Sequence, residues 1–162
     1  MNRIDELTKL PSTMEVIKTF QEIKNKKELV IAILDIDNFK KINKKYGKKI
    51  GDEVLKYIAN ILRNKIRKSD FLGRYENDEF YMFFKTDKVE KIIDMFKEIN
   101  NYLNENPLKT KKGIIKVKVS IGITAHKFKN LEQSLSLAQI ALRKVKNTEN
   151  SILHYQIYEC KY

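Results

Sequence analysis

The sequence of 162 residues has one Cys, two His, two Pro, five Gly and no Trp. The lone Cys160 cannot form an internal disulfide, and with the scattered His126 and His154 it supplies too few ligands for a zinc site. The longest unbroken apolar run, Leu29 to Leu34, is far shorter than the roughly 20 residues of a membrane helix. We therefore expect no disulfide framework, no zinc centre and no transmembrane segment.

The N-terminus also lacks the apolar stretch of a signal peptide, because Asp5 and Glu6 stand there instead. We therefore expect a cytoplasmic protein. No repeat, low-complexity tract or linker interrupts the sequence, which predicts a single domain over residues 1–162. Because the sequence starts directly in a turn-like segment and stops soon after a predicted strand, we expect a fragment of a larger multidomain protein.

Basic residues are in excess, with 33 Lys and Arg against 21 Asp and Glu and a net charge of +12. This charge favours an anionic partner, which could be nucleic acid, anionic lipid or a phosphorylated ligand. The lysines are spread along the whole chain, however, as in a proteome rich in Lys, Asn and Ile. The lysines of the tract from Lys40 to Lys49 lie on the side of the predicted helix away from Phe39, Ile42 and Tyr46. We therefore expect most of them to form a solvated face.

Hydrophobic periodicity predicts helices that alternate with strands. The predicted helices run from Ser12 or Thr13 to Ile23, from an Asp37 cap to Tyr46, from Asp52 through Leu62, from Val89 to Leu103 and from Leu131 to Val145. The predicted strands are Glu28 to Leu34, Phe71 to Tyr75, Glu79 to Phe84, Ile114 to Thr124 and Ile152 to Tyr158. Gly47 and Gly51 are expected to break the chain between the second and third helices. One strand pair is directly connected as a hairpin, so we predict an α/β (α+β) fold whose sheet is mixed and mostly antiparallel, with flanking helices and a β-α-β-β-α-β core.

Carboxylates stand at two strand ends. Asp35 and Asp37 come where the first buried strand ends, and Asp78 and Glu79 lie at the turn between two strands. If these strands are neighbours, Asp35 and Asp78 converge on a hard, oxygen-rich site suited to Mg²⁺ and to a nucleotide's phosphates. The alternative makes Asp37 a helix cap and Asp78 and Glu79 a solvated turn. It explains Asp35 less well, because an acid that ends an apolar run loses its hydration unless something pairs with it.

Two polar residues near the basic tract are candidates for reading a base. Asn43 is four residues after Phe39 and three before Tyr46, so it shares the buried edge of that helix, where its amide could meet a base edge. Asp52, just past Gly51, is either a helix cap or a second base-reading group.

Four short motifs follow one another along the sequence. They are Asp5-Glu6-Leu7-Thr8-Lys9-Leu10-Pro11, Asp35-Ile36-Asp37-Asn38-Phe39-Lys40-Lys41-Ile42-Asn43, Tyr46-Gly47 with Gly51-Asp52, and Ser120-Ile121-Gly122. In the same order they resemble D-x-L-T-G-L-P, D-x-D-x-F-K-x-x-N, Y-G-H-x-x-G-D with Lys48 in place of His, and S-x-G. The sequence therefore resembles the GGDEF domains of diguanylate cyclases nearly end to end, and several ordered motifs are far more specific than one.

The resemblance implies a core like that of nucleotide cyclases and polymerase palms, and an enzyme family that condenses two GTP into cyclic di-GMP. It implies that Asp35, the Ile36 carbonyl and Asp78 hold Mg²⁺. Asp78 or Glu79 would help to activate the 3′-hydroxyl that attacks the α-phosphate of the second GTP. Each domain would supply half an active site, so catalysis would need two domains face to face.

The resemblance also assigns the groups that bind the nucleotide. Asn43 and Asp52 would read guanine, while Lys40 and Lys146 would contact phosphates. Arg67-Lys68-Ser69-Asp70 is separated from Glu76 by five residues. It matches the family's inhibitory R-x-x-D site, where Arg67 and Asp70 would bind cyclic di-GMP; the alternative is an ordinary surface ion pair.

The signature itself departs from the family pattern R-Y-G-G-D/E-E-F. This chain has Arg74-Tyr75-Glu76-Asn77-Asp78-Glu79-Phe80, so both glycines are replaced. Glu76 and Asn77 add bulk where the backbone approaches the nucleotide, and Glu76 adds a negative charge towards a polyanion. Near the C-terminus Lys146 matches the phosphate-binding lysine, but the following segment is one residue short and lacks the family's Gly and Arg.

We therefore hypothesise a degenerate GGDEF domain of a larger signalling protein that binds GTP with Mg²⁺, cyclic di-GMP or both, with weak or no cyclase activity. It would act as a homodimer or on an attached sensor or phosphodiesterase domain. One alternative is an active cyclase whose turn tolerates Glu76 and Asn77. The other is a dimerisation or nucleic-acid-binding module. This last alternative ranks below the others, because the only aromatics in the basic tract are Phe39 and Tyr46, which resemble core residues. We therefore expect no stable nucleic-acid partner.

Overall fold

The computed structural model describes residues 2–23, 28–126, 131–148 and 151–156. The elements in these ranges are α1 (Thr13–Ile23), β1 (Leu29–Ile36), α2 (Phe39–Tyr46), α3 (Lys48–Lys65), β2 (Phe71–Tyr75), β3 (Glu79–Phe84), α4 (Val89–Glu105), β4 (Leu108–Thr110), β5 (Gly113–Ile115), β6 (Val119–His126), α5 (Leu131–Val145) and β7 (Ile152–Gln156). Within these ranges, no helix combines the length and the apolar character needed to cross a membrane.

One five-stranded sheet organises the fold, with the strand order β2-β3-β1-β6-β7. The pairs β2–β3, β3–β1 and β1–β6 are antiparallel, while β6 and β7 are parallel. The predicted α/β fold with a mixed, mostly antiparallel sheet is therefore confirmed. The short strands β4 and β5 form a separate two-stranded sheet.

Side chains of β1 divide the core into two layers, because successive residues of a strand point to opposite faces. Ala32 and Leu34 pack in a cluster with residues of α3 and α4. Ile31 and Ile33 pack in a second cluster with residues of α1 and α5. Asp35 continues the second series, so its carboxylate lies on the face that α5 covers.

The connection between β1 and α3 differs from the sequence prediction in two ways. Asp37 does not cap α2; Asn38 occupies the N-cap with φ 56°, and Asp37 Oδ1 accepts a hydrogen bond of 2.6 Å from Ser120 Oγ. Helix α3 begins at Lys48 rather than Asp52, because Gly47 alone, at φ 92°, turns the chain between the two helices. Gly51 is a buried residue inside α3 and does not break it.

The predicted strand Ile114 to Thr124 is two strands with different partners. β5 pairs with β4, whereas β6 pairs with β1 and β7. The alternation of buried Ile115, Val117 and Val119 continues through the break, which is why the pattern resembled a single strand. The end predicted for β7, at Tyr158, lies outside the described residues.

Candidate functional site

The structure brings Asp35 and Asp78 together at one end of the sheet. β1 extends past its predicted end at Leu34, so Asp35 lies within the strand opposite Glu79 of β3. The next residue, Ile36, donates its main-chain N–H to the carbonyl oxygen of Asp78 at 3.4 Å. The β2–β3 turn therefore lies directly beside the end of β1, as the strand assignment predicted.

Negative charge is concentrated and partly desolvated at this point. Burial, and then the neighbouring Asp78 carboxyl, raise the pKa of Asp35 to about 7. Burial and the charge of Asp35 also raise the pKa of Glu79. Lys146 follows α5 by one residue, and its ammonium group donates to Oδ2 of Asp35. Oδ1 of Asp35 is buried and has no hydrogen-bond partner among the described residues.

These residues fit a magnesium ion. Asp35, Asp78 and the Ile36 carbonyl offer hard oxygen ligands, and Oδ1 of Asp35 is a buried oxygen without the hydrogen bond or ligand that would offset its lost hydration. The part of the chain that the structure describes holds no cluster of three or more Asp, Glu, His or Cys side chains that could bind a metal. An ion here would complete its shell with water and nucleotide phosphates, as Mg²⁺ commonly does.

A cleft of about 400 Å³ adjoins this group of charges. Its lining includes Asp37, Lys118, Ser120 and Lys146. The hydroxyl of Ser120 holds the Asp37 carboxylate just before the N-terminus of α2. The sequence did not predict this hydrogen bond. Lys40 lies on the exposed side of α2, and the structure gives it no hydrogen bond or ion pair within the described ranges.

The predicted base-reading residues lie where α2 meets α3. Asn43 is half-buried, and its Oδ1 is buried without a hydrogen-bond partner among the described residues. The carboxamide packs against Gly51, where a Cβ would lie only 1.7 Å from Oδ1. Asp52 follows Gly51 inside α3 and is half-buried, so its alternative interpretation as a helix cap is wrong.

The β2–β3 turn keeps a backbone that glycine favours, although it contains none. Glu76 has φ 43° and Asn77 has φ 28°, in the left-handed region that most side chains avoid. The main-chain N–H of Glu76 donates to Thr13 Oγ1 at 3.0 Å, which ties the turn to the start of α1. Asp78 and Glu79 are thus presented from a turn that contacts outside the hairpin hold in place.

Arg74 connects this turn to the N-terminal segment, a relationship that the sequence analysis missed. Its Nη1 donates to both carboxylate oxygens of Asp5, at 3.0 and 3.1 Å. Asp5 also accepts from the main-chain N–H and the hydroxyl of Thr8, at 2.8 and 2.6 Å. Burial alone would raise the pKa of Asp5, but these hydrogen bonds outweigh it and hold the pKa below its ordinary value. The D-x-x-T spacing, in which an Asp side chain can accept a nearby main-chain N–H, is a signal for the bonds from Thr8 but not for the contact with Arg74.

Arg67 and Asp70 form an ion pair ahead of β2, with Nε 2.9 Å from Oδ2. The Asp70 side chain is 2% exposed and accepts the main-chain N–H of Lys85 at 2.9 Å, whereas the Arg67 side chain is 65% exposed. Asp70 is therefore an anchored acceptor and Arg67 an accessible cation. A cleft of about 370 Å³ adjoins the pair, and Lys88 and Lys91 are among its lining residues.

The profile described as "Diguanylate cyclase, GGDEF domain" matches residues 2–151. The chain belongs to the GGDEF family. It is 32% identical over 126 residues to diguanylate cyclase DgcP of Pseudomonas aeruginosa, covering 75% of this chain and 19% of that protein. It is also 32% identical over 129 residues to diguanylate cyclase A of Treponema denticola, covering 79% of this chain and 34% of that protein. The GGDEF domain described here thus spans about a fifth to a third of these curated relatives.

Solved GGDEF domains share its fold. The GGDEF domain of DgcB from Caulobacter crescentus, crystallised with c-di-GMP, superposes with a TM-score of 0.86 at 23% identity, covering 94% of this chain and 92% of that one. The FimX GGDEF domain from Pseudomonas aeruginosa also gives 0.86, at 14% identity, covering 96% of this chain and 100% of that one. At these identities the likeness establishes the fold, and the roles of individual residues rest on the geometry above.

Proposed function

We propose that this GGDEF domain binds GTP with Mg²⁺ and binds cyclic di-GMP, that it has weak or no cyclase activity, and that it regulates an attached domain. The observation that carries the proposal is the pairing of Asp35 and Asp78, which leaves a buried carboxylate oxygen without a partner. Such a pair is favourable once a divalent cation and its phosphate ligands balance the charge.

Each part of the nucleotide has a matching group in this proposal. The bound Mg²⁺ would neutralise phosphate charge and polarise the phosphoryl oxygens. Lys146 would exchange part of its contact with Asp35 for a phosphate oxygen, and exposed Lys40 would turn towards the terminal phosphates. Asn43 and Asp52 would contact guanine at the junction of α2 and α3.

The Glu76 side chain is the reason to expect weak catalysis. Its negative charge contributes to the raised pKa of Glu79, so the turn that would activate the attacking hydroxyl carries one more negative charge than a glycine turn. A nucleotide polyanion brought to the same turn would meet repulsion that a glycine does not create. Each 1.4 kcal/mol added to the barrier lowers the rate about tenfold.

An active cyclase is the second candidate, and the backbone of the turn favours it. Glu76 and Asn77 hold the left-handed conformation without glycine, so the main chain presents Asp78 and Glu79 from a turn of the same kind. The two candidates therefore differ in the effect of the side chains at these two positions rather than in the path of the chain.

Regulation of an attached domain is supported by the length of the relatives, because DgcP and diguanylate cyclase A extend well beyond the region that this chain matches. Cyclic di-GMP, bound at Arg67 and Asp70, would be the regulatory ligand. A face-to-face homodimer would be needed for any residual cyclase activity, since each domain supplies one GTP.

Isothermal titration with GTP, with and without Mg²⁺, tests the binding proposal. We expect GTP to bind in the presence of Mg²⁺ and binding to fall at least tenfold in Asp78→Ala. Asp87→Ala removes the same charge from the exposed connection after β3 and is expected to bind as the unmodified protein does. Equal binding by both variants would contradict the assignment of Asp78.

A further inference from the structure

The backbone conformation of α3 does not explain why residue 51 is glycine. It lies inside α3 and is buried, and Gly47 and Gly113 are the glycines of the described residues that have positive φ. Glycine weakens a helix interior relative to alanine, because it leaves more backbone freedom to be lost on folding. An alanine would satisfy the backbone of α3 at this position, so a structural reason for glycine here lies in a neighbouring group.

That neighbour is the Asn43 carboxamide. A Cβ on Gly51 would lie 1.7 Å from Oδ1, 2.9 Å from Cγ and 3.5 Å from Nδ2 of Asn43. Contacts below 3.0 Å are essentially never made by a Cβ, so the amide oxygen occupies the space that any side chain at Gly51 would fill. Only a glycine hydrogen fits in that direction while the amide keeps its place.

We propose that Gly51 is a positioning residue, which aims the Asn43 amide at the base of a bound guanine nucleotide; this inference rests on the proposed function. With Oδ1 turned against α3, the NH₂ group is the part of the amide that Asn43 presents away from that helix. The Asp52 carboxylate, one residue after Gly51, supplies an acceptor nearby.

A donor beside an acceptor matches guanine and mismatches adenine. Guanine presents the O6 acceptor where adenine presents the N6 amino donor, and guanine alone carries the N2 amino donor. If Gly51 fixes the amide, its loss changes the preference for guanine over adenine in addition to the overall affinity. A residue that only supports folding would leave that preference unchanged.

The test measures the binding of GTP and ATP, with Mg²⁺, to the unmodified protein, to Gly51→Ala and to Lys49→Ala, an exposed control on the same helix. We expect Gly51→Ala to lower GTP affinity at least tenfold and to shrink the GTP to ATP ratio at least fivefold, with Lys49→Ala unchanged. An unchanged GTP to ATP ratio in Gly51→Ala overturns the inference alone, whether or not the affinity for GTP falls. Failure of the unmodified protein to bind GTP overturns the proposed function and this inference together.

Thermal melts of a double-variant cycle test the contact itself, even if Gly51→Ala unfolds the domain. We expect Gly51→Ala to change the melting temperature less favourably in the unmodified protein than in the Asn43→Ala background, because the amide has to move aside only where it is present and alanine is the better helix former. Equal changes in the two backgrounds would overturn the proposed contact.

Discussion

The guanidinium of Arg74 donates two hydrogen bonds to the main-chain carbonyl of Asn77, from Nε at 3.0 Å and from Nη2 at 2.8 Å. Its remaining nitrogen binds Asp5, so one side chain joins the β2–β3 turn to the N-terminal segment. This clamp explains how the turn keeps its left-handed residues without glycine. It also predicts that the shape of the turn depends on residues far away in sequence.

Arg74→Ala is expected to lower the free energy of unfolding by about 2 kcal/mol, because it removes charge-assisted hydrogen bonds at a side chain that is only 17% exposed. Urea denaturation measures the loss. In a cycle with Asp5→Ala, the double variant should lose clearly less than the sum of the two single changes. Additive losses would mean that Arg74 and Asp5 stabilise the fold independently.

Glu76→Gly is expected to stabilise the domain by up to about 1 kcal/mol, since glycine adopts the left-handed region without the steric cost that the Glu76 side chain carries there. Asn77→Gly should give a smaller gain, because asparagine tolerates this region better than glutamate. The denaturant midpoints of the two variants show which change gives the larger gain in stability. A clear loss of stability in Glu76→Gly would show that its side chain supports the turn.

Stability should depend on pH through Asp35. Its folded-state pKa of about 7 lies above the ordinary value of 3.8, so the folded protein binds the proton more tightly than the unfolded chain. The stability from this group is complete below about pH 4 and is lost as the pH rises through 7. Relative to Asp35→Asn, the unmodified protein should lose on the order of 5 °C of melting temperature between pH 5 and pH 8 without Mg²⁺. Parallel curves for the two proteins would contradict the raised pKa.

Arg67→Ala should abolish the binding of cyclic di-GMP measured by titration calorimetry. The guanidinium is the accessible member of the ion pair and offers a bidentate fork to phosphate or to a guanine edge. Lys68→Ala, which removes one positive charge from the adjacent exposed position, is the matched control. Asp70 is a poorer choice for mutation, because it also accepts the main-chain N–H of Lys85. Undiminished binding in Arg67→Ala would place the ligand elsewhere.

Local pattern was sufficient for much of the fold. The α1 helix, the β2–β3 hairpin and α5 lie where periodicity and turn residues place them, because each is defined by contacts close in sequence. The approach of Asp35 to Asp78 followed from a single assumption, that their strands are neighbours. That assumption holds because β3 lies between β1 and β2.

The errors have a common cause in side-chain contacts between different elements of the fold. Asp37 is bound by Ser120, 83 residues away, and so does not serve as a cap. Gly51 was interpreted as a helix breaker from local propensity, whereas its absent side chain accommodates Asn43. The clamp from Arg74 to Asp5 joins segments 69 residues apart. Sequence pattern alone contains no signal for the partner in any of these cases.

The rate of cyclic di-GMP formation tests the central claim most directly, namely that the side chains of Glu76 and Asn77 limit catalysis in a domain that keeps its nucleotide site. Nucleotide-free protein is incubated with GTP and Mg²⁺ at high concentration, and product is measured by chromatography and mass spectrometry. The samples are the unmodified protein, Asp78→Ala as the blank and the Glu76→Gly/Asn77→Gly variant. We expect the unmodified protein to remain close to the blank and the glycine variant to exceed it at least tenfold. A rate well above the blank that restoring both glycines leaves unchanged would contradict the account and identify an active cyclase.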